Sequence, residues 1–219
     1  MLFNDRFEAG CALAQRLLTY ASRPDVLVLG LARGGVPVAF EVAQALNAPL
    51  DVFIVRKLGV PGQEELAMGA IAPGDVTIIN QRIMDQLDIA PRALQAVITR
   101  ETQELARREQ LYRRQRPPVD AEGRTVILID DGLATGSTMR AAIAAIKKQR
   151  AGRVVVAVPV GALQTCEEIS LVVDELICAA TPEPFYGVGR WYKNFSQTTD
   201  EDVRQLLERA SSPERPGTC

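Results

Sequence analysis

The chain contains no histidine among its 219 residues. That absence removes His-activated serine and cysteine nucleophiles, imidazole metal sites and imidazole acid–base chemistry. Chemistry is left to carboxylates, Lys, Arg, Tyr, backbone amides or a loosely held metal. Aromatic residues are scarce, at 5% of the chain, so each one marks its position. Neither charge prevails: 25 Lys and Arg face 27 Asp and Glu, for a formal net charge of −2. No global field therefore favours nucleic acid or an anionic membrane surface, and any anion must be bound by local design. Cys11, Cys166, Cys178 and Cys219 show no CxxC and no metal-like spacing, which suits a reduced intracellular compartment. The first residues, "MLFNDRFEAG", carry acids where a secretory signal needs a basic start and an apolar stretch, and no window reaches membrane-spanning length. The expectation is a cytoplasmic protein with no membrane association.

Apolar residues make up 47% and charged residues 24%, an ordinary globular composition, and nothing divides the chain in half. One α/β domain over 1–219 is expected. Asp5 and Glu8 at cap spacing open a helix whose face is read as Phe7, Cys11, Ala14 and Leu18. "DVLVLGLARGG" gives a strand ending in a Gly-rich turn, followed by a helix with Val38, Ala39, Val42 and Ala43 on one face. A second buried strand, Val52 to Val55, ends in Arg56 and Lys57. The stretch from Val60 to Gly74 mixes Pro, Gly and acids and reads as a long connection with at most short strands, before a strand at Val76 to Ile79. A helix from Arg92 to Arg114 carries Leu94, Ile98, Leu105 and Tyr112 on one stripe, within a helical insertion over 80–117. Thr199 and Asp202 cap a last helix with Val203, Leu206, Leu207 and Ala210 on its face, the end of a hood-like segment over 181–210. Strands alternating with helices predict a Rossmann-like parallel sheet with helices on both faces, with a long extra helix and a C-terminal hood.

In such a sheet ligands bind beyond the carboxyl ends of the strands, so the residues after each apolar run matter most. "VILIDDGLATGSTM", Val126 to Met139, places Asp130 and Asp131 after a strand and before a helix opened by small and hydroxyl residues. Backbone amides, the positive helix end and the hydroxyls of Thr135, Ser137 and Thr138 suit a phosphate, and Gly132 and Gly136 allow close approach. The two acids would repel that phosphate. They must face a donor-rich or cationic group, and a ribose diol or a bound magnesium ion fits. The common nucleotide fingerprints GxGxxG after a strand and GxxxxGK[ST] are absent.

"VILIDDGLATGST" resembles the signature of type I phosphoribosyltransferases, and the whole chain is most similar to bacterial phosphoribosyltransferase-like proteins whose acceptor is not established. The resemblance implies the type I phosphoribosyltransferase fold and a site for 5-phosphoribosyl 1-diphosphate with Mg²⁺ as cofactor. Asp130 and Asp131 would hold the ribose hydroxyls, with the substrate-bound Mg²⁺ nearby, and Ala134, Thr135, Gly136, Ser137 and Thr138 would bind the 5-phosphate. "GLARGGVPVA" looks like the family's diphosphate loop, with Arg33, Gly34 and Gly35, and Arg56 and Lys57 stand where the family carries basic catalytic residues. "GVPGQEELAMGA" would occupy the place of its mobile catalytic loop. The implied activity is transfer of phosphoribosyl to a small nitrogenous acceptor, with nucleobases among the candidates, and release of diphosphate, by a homo-oligomer such as a dimer.

The acceptor side departs from the purine enzymes. Ala134 stands where hypoxanthine-guanine enzymes place an Asp, which argues against a 6-oxopurine. "PFYGVGRWYKNF" is similar to the segment covering the base, where Phe185, Tyr186 or Trp191 can stack on a planar ring. Arg190 to Lys193 then replace the acid found there, which points to an acidic acceptor or to one that is not a base of that kind. A regulator that keeps the sugar-phosphate pocket as a sensor, and binds RNA or protein through the Arg107 to Arg116 face, is the alternative; interleaved Glu101, Glu104 and Glu109 favour ordinary surface pairing there.

Overall fold

The computed structural model describes residues 2–113 and 120–211. Five apolar runs form one parallel sheet in the order β2-β1-β6-β7-β8, where β1 is Val26–Leu31, β2 Leu50–Phe53, β6 Thr125–Ile129, β7 Arg153–Val160 and β8 Glu175–Ala180. β1 and β6 are buried along their whole length, as central parallel strands covered on both faces must be. Alternation divides their side chains. Val26 and Val28, with Ile127 and Ile129, pack under α1 (Arg6–Arg16) and α2 (Gly35–Leu46). Leu27, Leu29 and Leu31, with Val126 and Leu128, pack under α5 (Ser137–Lys148) and α6 (Leu163–Ser170). The expected parallel sheet with helices on both faces is the fold observed.

Asp5 caps α1 by accepting from the Glu8 amide at 2.9 Å. Its buried face is Ala9, Gly10, Leu13 and Ala14, and the expected stripe is corrected: Phe7 and Leu18 are exposed. Close helix packing decides this, because a Cβ on Gly10 would lie 2.8 Å from the Val38 carbonyl oxygen of α2. Among the described residues Cys166, buried, and Cys178, half-buried, are free thiols.

The second sheet departs most from expectation. β3 (Arg56–Val60), β4 (Gln63–Ala72) and β5 (Val76–Ile79) form an antiparallel meander. The stretch read as a long connection is thus mostly the ten-residue strand β4, and the segment likened to a mobile loop is a hairpin. Pro61 and Gly62 make its turn, with Gly62 at φ +79°, the type II arrangement of Pro followed by a left-handed glycine. Arg56 and Lys57 open β3 instead of ending the preceding strand.

α3 (Gln81–Gln86) and α4 (Pro91–Arg113) follow, and Leu105 and Tyr112 of α4 are buried with Leu58 and Met68 of the meander. The far end of the expected Arg92 to Arg114 helix, at Arg114, lies outside the described residues. α7 (Asp200–Ser211) joins the same cluster through Val203, Leu206 and Leu207. Its capping box is reciprocal: the Thr199 amide donates to Asp202 at 2.8 Å and the Asp202 amide donates to Thr199 Oγ1 at 3.1 Å. Between β8 and α7 the chain returns across the sheet to the N-terminus, where Phe3 bridges Tyr192. Among the described residues no helix is long and apolar enough to cross a membrane.

Candidate active site

The chain leaves β1 for β2 on one side and returns to β6 on the other, so a crevice opens at the carboxyl ends of β1 and β6. Gly30 and Ile129 are paired in register, which sets the loops after these two strands against each other. A Cβ on Gly34 would lie 2.1 Å from Asp131 Oδ2, and one on Gly35 would lie 2.5 Å from the Ile129 carbonyl oxygen. Only glycine admits this approach. The acid pair and the Arg33-Gly34-Gly35 turn, nearly a hundred residues apart in sequence, are one site.

Both carboxylates are costly to keep ionised. Burial raises the Asp130 pKa well above the ordinary carboxylate value, and the neighbouring Asp131 charge raises it further. Burial also raises that of Asp131, and the Arg6 guanidinium opposes the rise. Arg6 Nε and Nη2 each lie 2.8 Å from Asp131 Oδ2. Asp130 Oδ1 accepts from the Asp131 amide at 2.9 Å, and the Tyr192 hydroxyl donates to the Asp131 carbonyl at 2.6 Å. Arg6 and Tyr192 were not found from sequence; Arg6 is 125 residues from its partner, and no local spacing signals such a contact.

The following loop leads into α5 through Gly136, at φ +72°, and leaves the side chains of Thr135, Ser137 and Thr138 exposed. It is stitched from behind. The Leu133 amide donates to the Val160 carbonyl at 2.9 Å, the Ala162 amide to the Leu133 carbonyl at 2.8 Å, and Thr165 Oγ1 to the Ala134 carbonyl at 2.6 Å. A cleft of about 370 Å³ opens beside Ser137 and Arg140, walled by Ala67 and Gly69 of β4 and Ile78 and Ile79 of β5.

The predicted cations are placed differently from one another. Arg33 Nη1 reaches toward Asp200 Oδ1 of α7, at 3.4 Å, an oxygen that also accepts from the Tyr112 hydroxyl of α4 at 2.5 Å. Arg56 is paired with Glu101 of α4, Nε to Oε2 at 2.9 Å, and lines with Lys57 a separate cleft of about 240 Å³. Of the three aromatic residues, Phe185 and Trp191 pack on Phe3, Ala9, Val160 and Tyr192, whereas Tyr186 is 76% exposed beneath the Arg190 guanidinium. The buried Trp191 Nε1 has no hydrogen-bond partner among the described residues.

The phosphoribosyl transferase domain family matches residues 5–184, a span that includes both loops of the crevice. The chain belongs to the phosphoribosyl transferase family. Two Mycobacterium tuberculosis relatives named as phosphoribosyl transferases are 46% identical over 209 residues, covering 95% of this chain. This family member spans about half the length of those relatives, 47%. The crystal structure of TT1426 from Thermus thermophilus matches with a TM-score of 0.80 and 39% identity, covering 94% of this chain and 98% of that one. The bifunctional protein PyrR of Chloroflexus aurantiacus is 36% identical over 116 residues, 52% of this chain and 58% of that protein.

Proposed function

We propose that the protein transfers a phosphoribosyl group from 5-phosphoribosyl 1-diphosphate to a nitrogenous acceptor of the nucleobase kind, releasing diphosphate. The observation that carries this reading is the contact between the two crevice loops, Gly34 against Asp131 and Gly35 against the end of β6. A buried acid pair, a cation with glycine amides and a hydroxyl-lined helix entry are thereby adjacent, in the arrangement that a sugar with a diphosphate at one end and a phosphate at the other requires.

Asp130 and Asp131 accept from the ribose hydroxyls, whose donation offsets the cost of burying two ionised carboxylates. The amides and hydroxyls of Thr135, Gly136, Ser137 and Thr138, with Ala134 shaping the turn, take the 5-phosphate at the positive end of α5. Arg33 and the Gly34-Gly35 amides take the diphosphate, Arg33 turning to it from Asp200. Arg56 and Lys57 reach the leaving group only if Arg56 parts from Glu101. Because departure of diphosphate leaves positive charge at the anomeric carbon, the residues act by positioning and by stabilising charge, and no protein nucleophile is needed.

Among the described residues no group of three or more Cys, Asp and Glu side chains could cage a metal. Two carboxylates beside a diphosphate site nonetheless fit Mg²⁺, which is commonly held by one or two carboxylates together with substrate phosphates. Bound there with the substrate, it would neutralise the leaving diphosphate.

Arg107 and Arg108 both pair with Glu104, so the guanidiniums in this part of the face proposed for RNA or protein are engaged and one of their two charges is offset. Residues 114–116 of that face lie outside the described residues. The transferase reading is therefore preferred to the sensor. Diphosphate release measured with 5-phosphoribosyl 1-diphosphate, Mg²⁺ and a panel of purines, pyrimidines and small amines tests it. Release with one acceptor class is the expected result, and tight substrate binding with silence across the panel would favour the sensor.

A further inference from the structure

Arg6 is not part of the signature, yet its guanidinium is the centre of a three-way clasp. Nε and Nη2 grip Asp131 Oδ2, each at 2.8 Å. Nη1 donates to the Ser196 carbonyl at 2.7 Å, and the guanidinium lies 4.0 Å from the centre of the Phe195 ring. Only 11% of its side chain is exposed. The first residue of α1 thus fixes one carboxylate of the crevice and, at the same time, the segment that returns across the sheet.

The grip is selective between the two oxygens of Asp131. Oδ2 is taken twice by Arg6 and lies against Gly34, where a Cβ would come within 2.1 Å. What remains for a sugar hydroxyl is Oδ1. Two guanidinium nitrogens converging on one oxygen hold that oxygen from two directions, which a single ammonium does not reproduce.

We propose that Arg6 is a positioning residue for the ribose subsite, turning Asp131 so that its free oxygen faces the sugar hydroxyls. This role rests on the functional reading above. It does not require Arg6 to touch the substrate: the residue acts through Asp131. It also supplies one positive charge beside two carboxylates, which lowers the electrostatic cost of admitting an anionic ligand.

Calorimetric titration of the full chain tests the proposal with two probes in Mg²⁺ buffer, 5-phosphoribosyl 1-diphosphate and inorganic diphosphate. The first engages the acids; the second lacks the sugar and reports the Arg33-Gly34-Gly35 turn. Arg6→Met should weaken binding of the sugar ligand at least tenfold and leave diphosphate binding within twofold of wild type. Arg6→Lys should recover part of the loss, because it restores the charge without the two-point grip. Scanning calorimetry of each variant checks that it remains folded. Equal binding of the sugar ligand by wild type and Arg6→Met would overturn the role, as would parallel loss of both probes. A wild-type protein that binds diphosphate but not the sugar ligand would instead overturn the functional reading, and with it the role built on it.

Discussion

A methyl group added at Gly34 would meet Asp131 through the tip of a side chain, whereas one added at Gly35 would meet the backbone at Ile129 and Asp130. The two neighbouring glycines therefore fail in different ways. Gly34→Ala can be accommodated only by turning Asp131 away from Arg6, so melting should fall less than for Gly35→Ala while affinity for 5-phosphoribosyl 1-diphosphate falls at least tenfold. Gly35→Ala has to displace β6 or α2, an overpacking cost of about 1–3 kcal/mol, visible in urea unfolding. Equal stability of the two variants would contradict this distinction.

Asp130→Asn should abolish binding of the sugar ligand and stabilise the empty protein. The Asp130 pKa is raised on folding, chiefly by burial, so its stability penalty is absent below the ordinary value of 3.8 and grows as pH rises toward the folded value. An asparagine keeps an oxygen for the Asp131 amide without carrying the charge. Melting at neutral pH should rise, by about 2–4 °C per kcal/mol relieved in a chain of this size, and the difference should close near pH 4. A variant less stable than wild type at neutral pH and equal to it in acid would reverse the sign and refute the argument.

The acid pair and its loop were legible in the sequence because a strand end and the helix entry after it are built from consecutive residues. Val126 to Met139 state the strand, the acids and the helix entry in one sentence of sequence. Arg6 and Tyr192 reach the same acids from opposite ends of the chain, and only the packed structure reveals them. The α1 face was misread in part because Phe7 and Leu18 outweigh Ala9 and Gly10 on a hydrophobicity scale, whereas helix contact selected the small residues, the expected Ala14 among them. β4 was hidden for a related reason: its acids and the glycines in and around it look like a loop until Met68 and Ile71 have a partner to pack on.

Tyr112→Phe probes the tie between α4 and α7. Asp200 has its pKa lowered first by the Tyr112 hydroxyl and then by charges that include Arg33, so its contribution is present above the ordinary value of 3.8 and is lost as pH falls through the folded value. Removing the hydroxyl should cost about 1 kcal/mol at neutral pH, with the gap narrowing in acid. Urea unfolding at several pH values reads both effects, and a gap that widens in acid would count against the assignment.

Phe40 is 1% exposed in α2 and packs where α2, α7 and the meander converge. Truncation to alanine leaves a cavity that no neighbouring layer can close alone, so Phe40→Ala should cost about 3–5 kcal/mol by urea unfolding. A loss below about 1 kcal/mol would mean that the three elements are not packed through this ring.

RNA affinity should be weak, and change little with Arg107→Gln and Arg108→Gln, because both guanidiniums are already engaged by Glu104. Filter binding at two salt concentrations reads this. A steep salt dependence that the double variant removes would revive the sensor.

The bond from Thr165 to the Ala134 carbonyl bears on how the loop greets a ligand. A trans peptide points its carbonyl and its amide in opposite directions, so drawing the Ala134 oxygen back toward α6 turns the Thr135 N–H outward. The loop is set before anything arrives. On the proposed reading, a phosphate arriving there would spend less of its interaction energy on arranging flexible backbone, whereas a cation would meet donors where it needs acceptors. The orientation of one peptide plane would then favour one sign of charge.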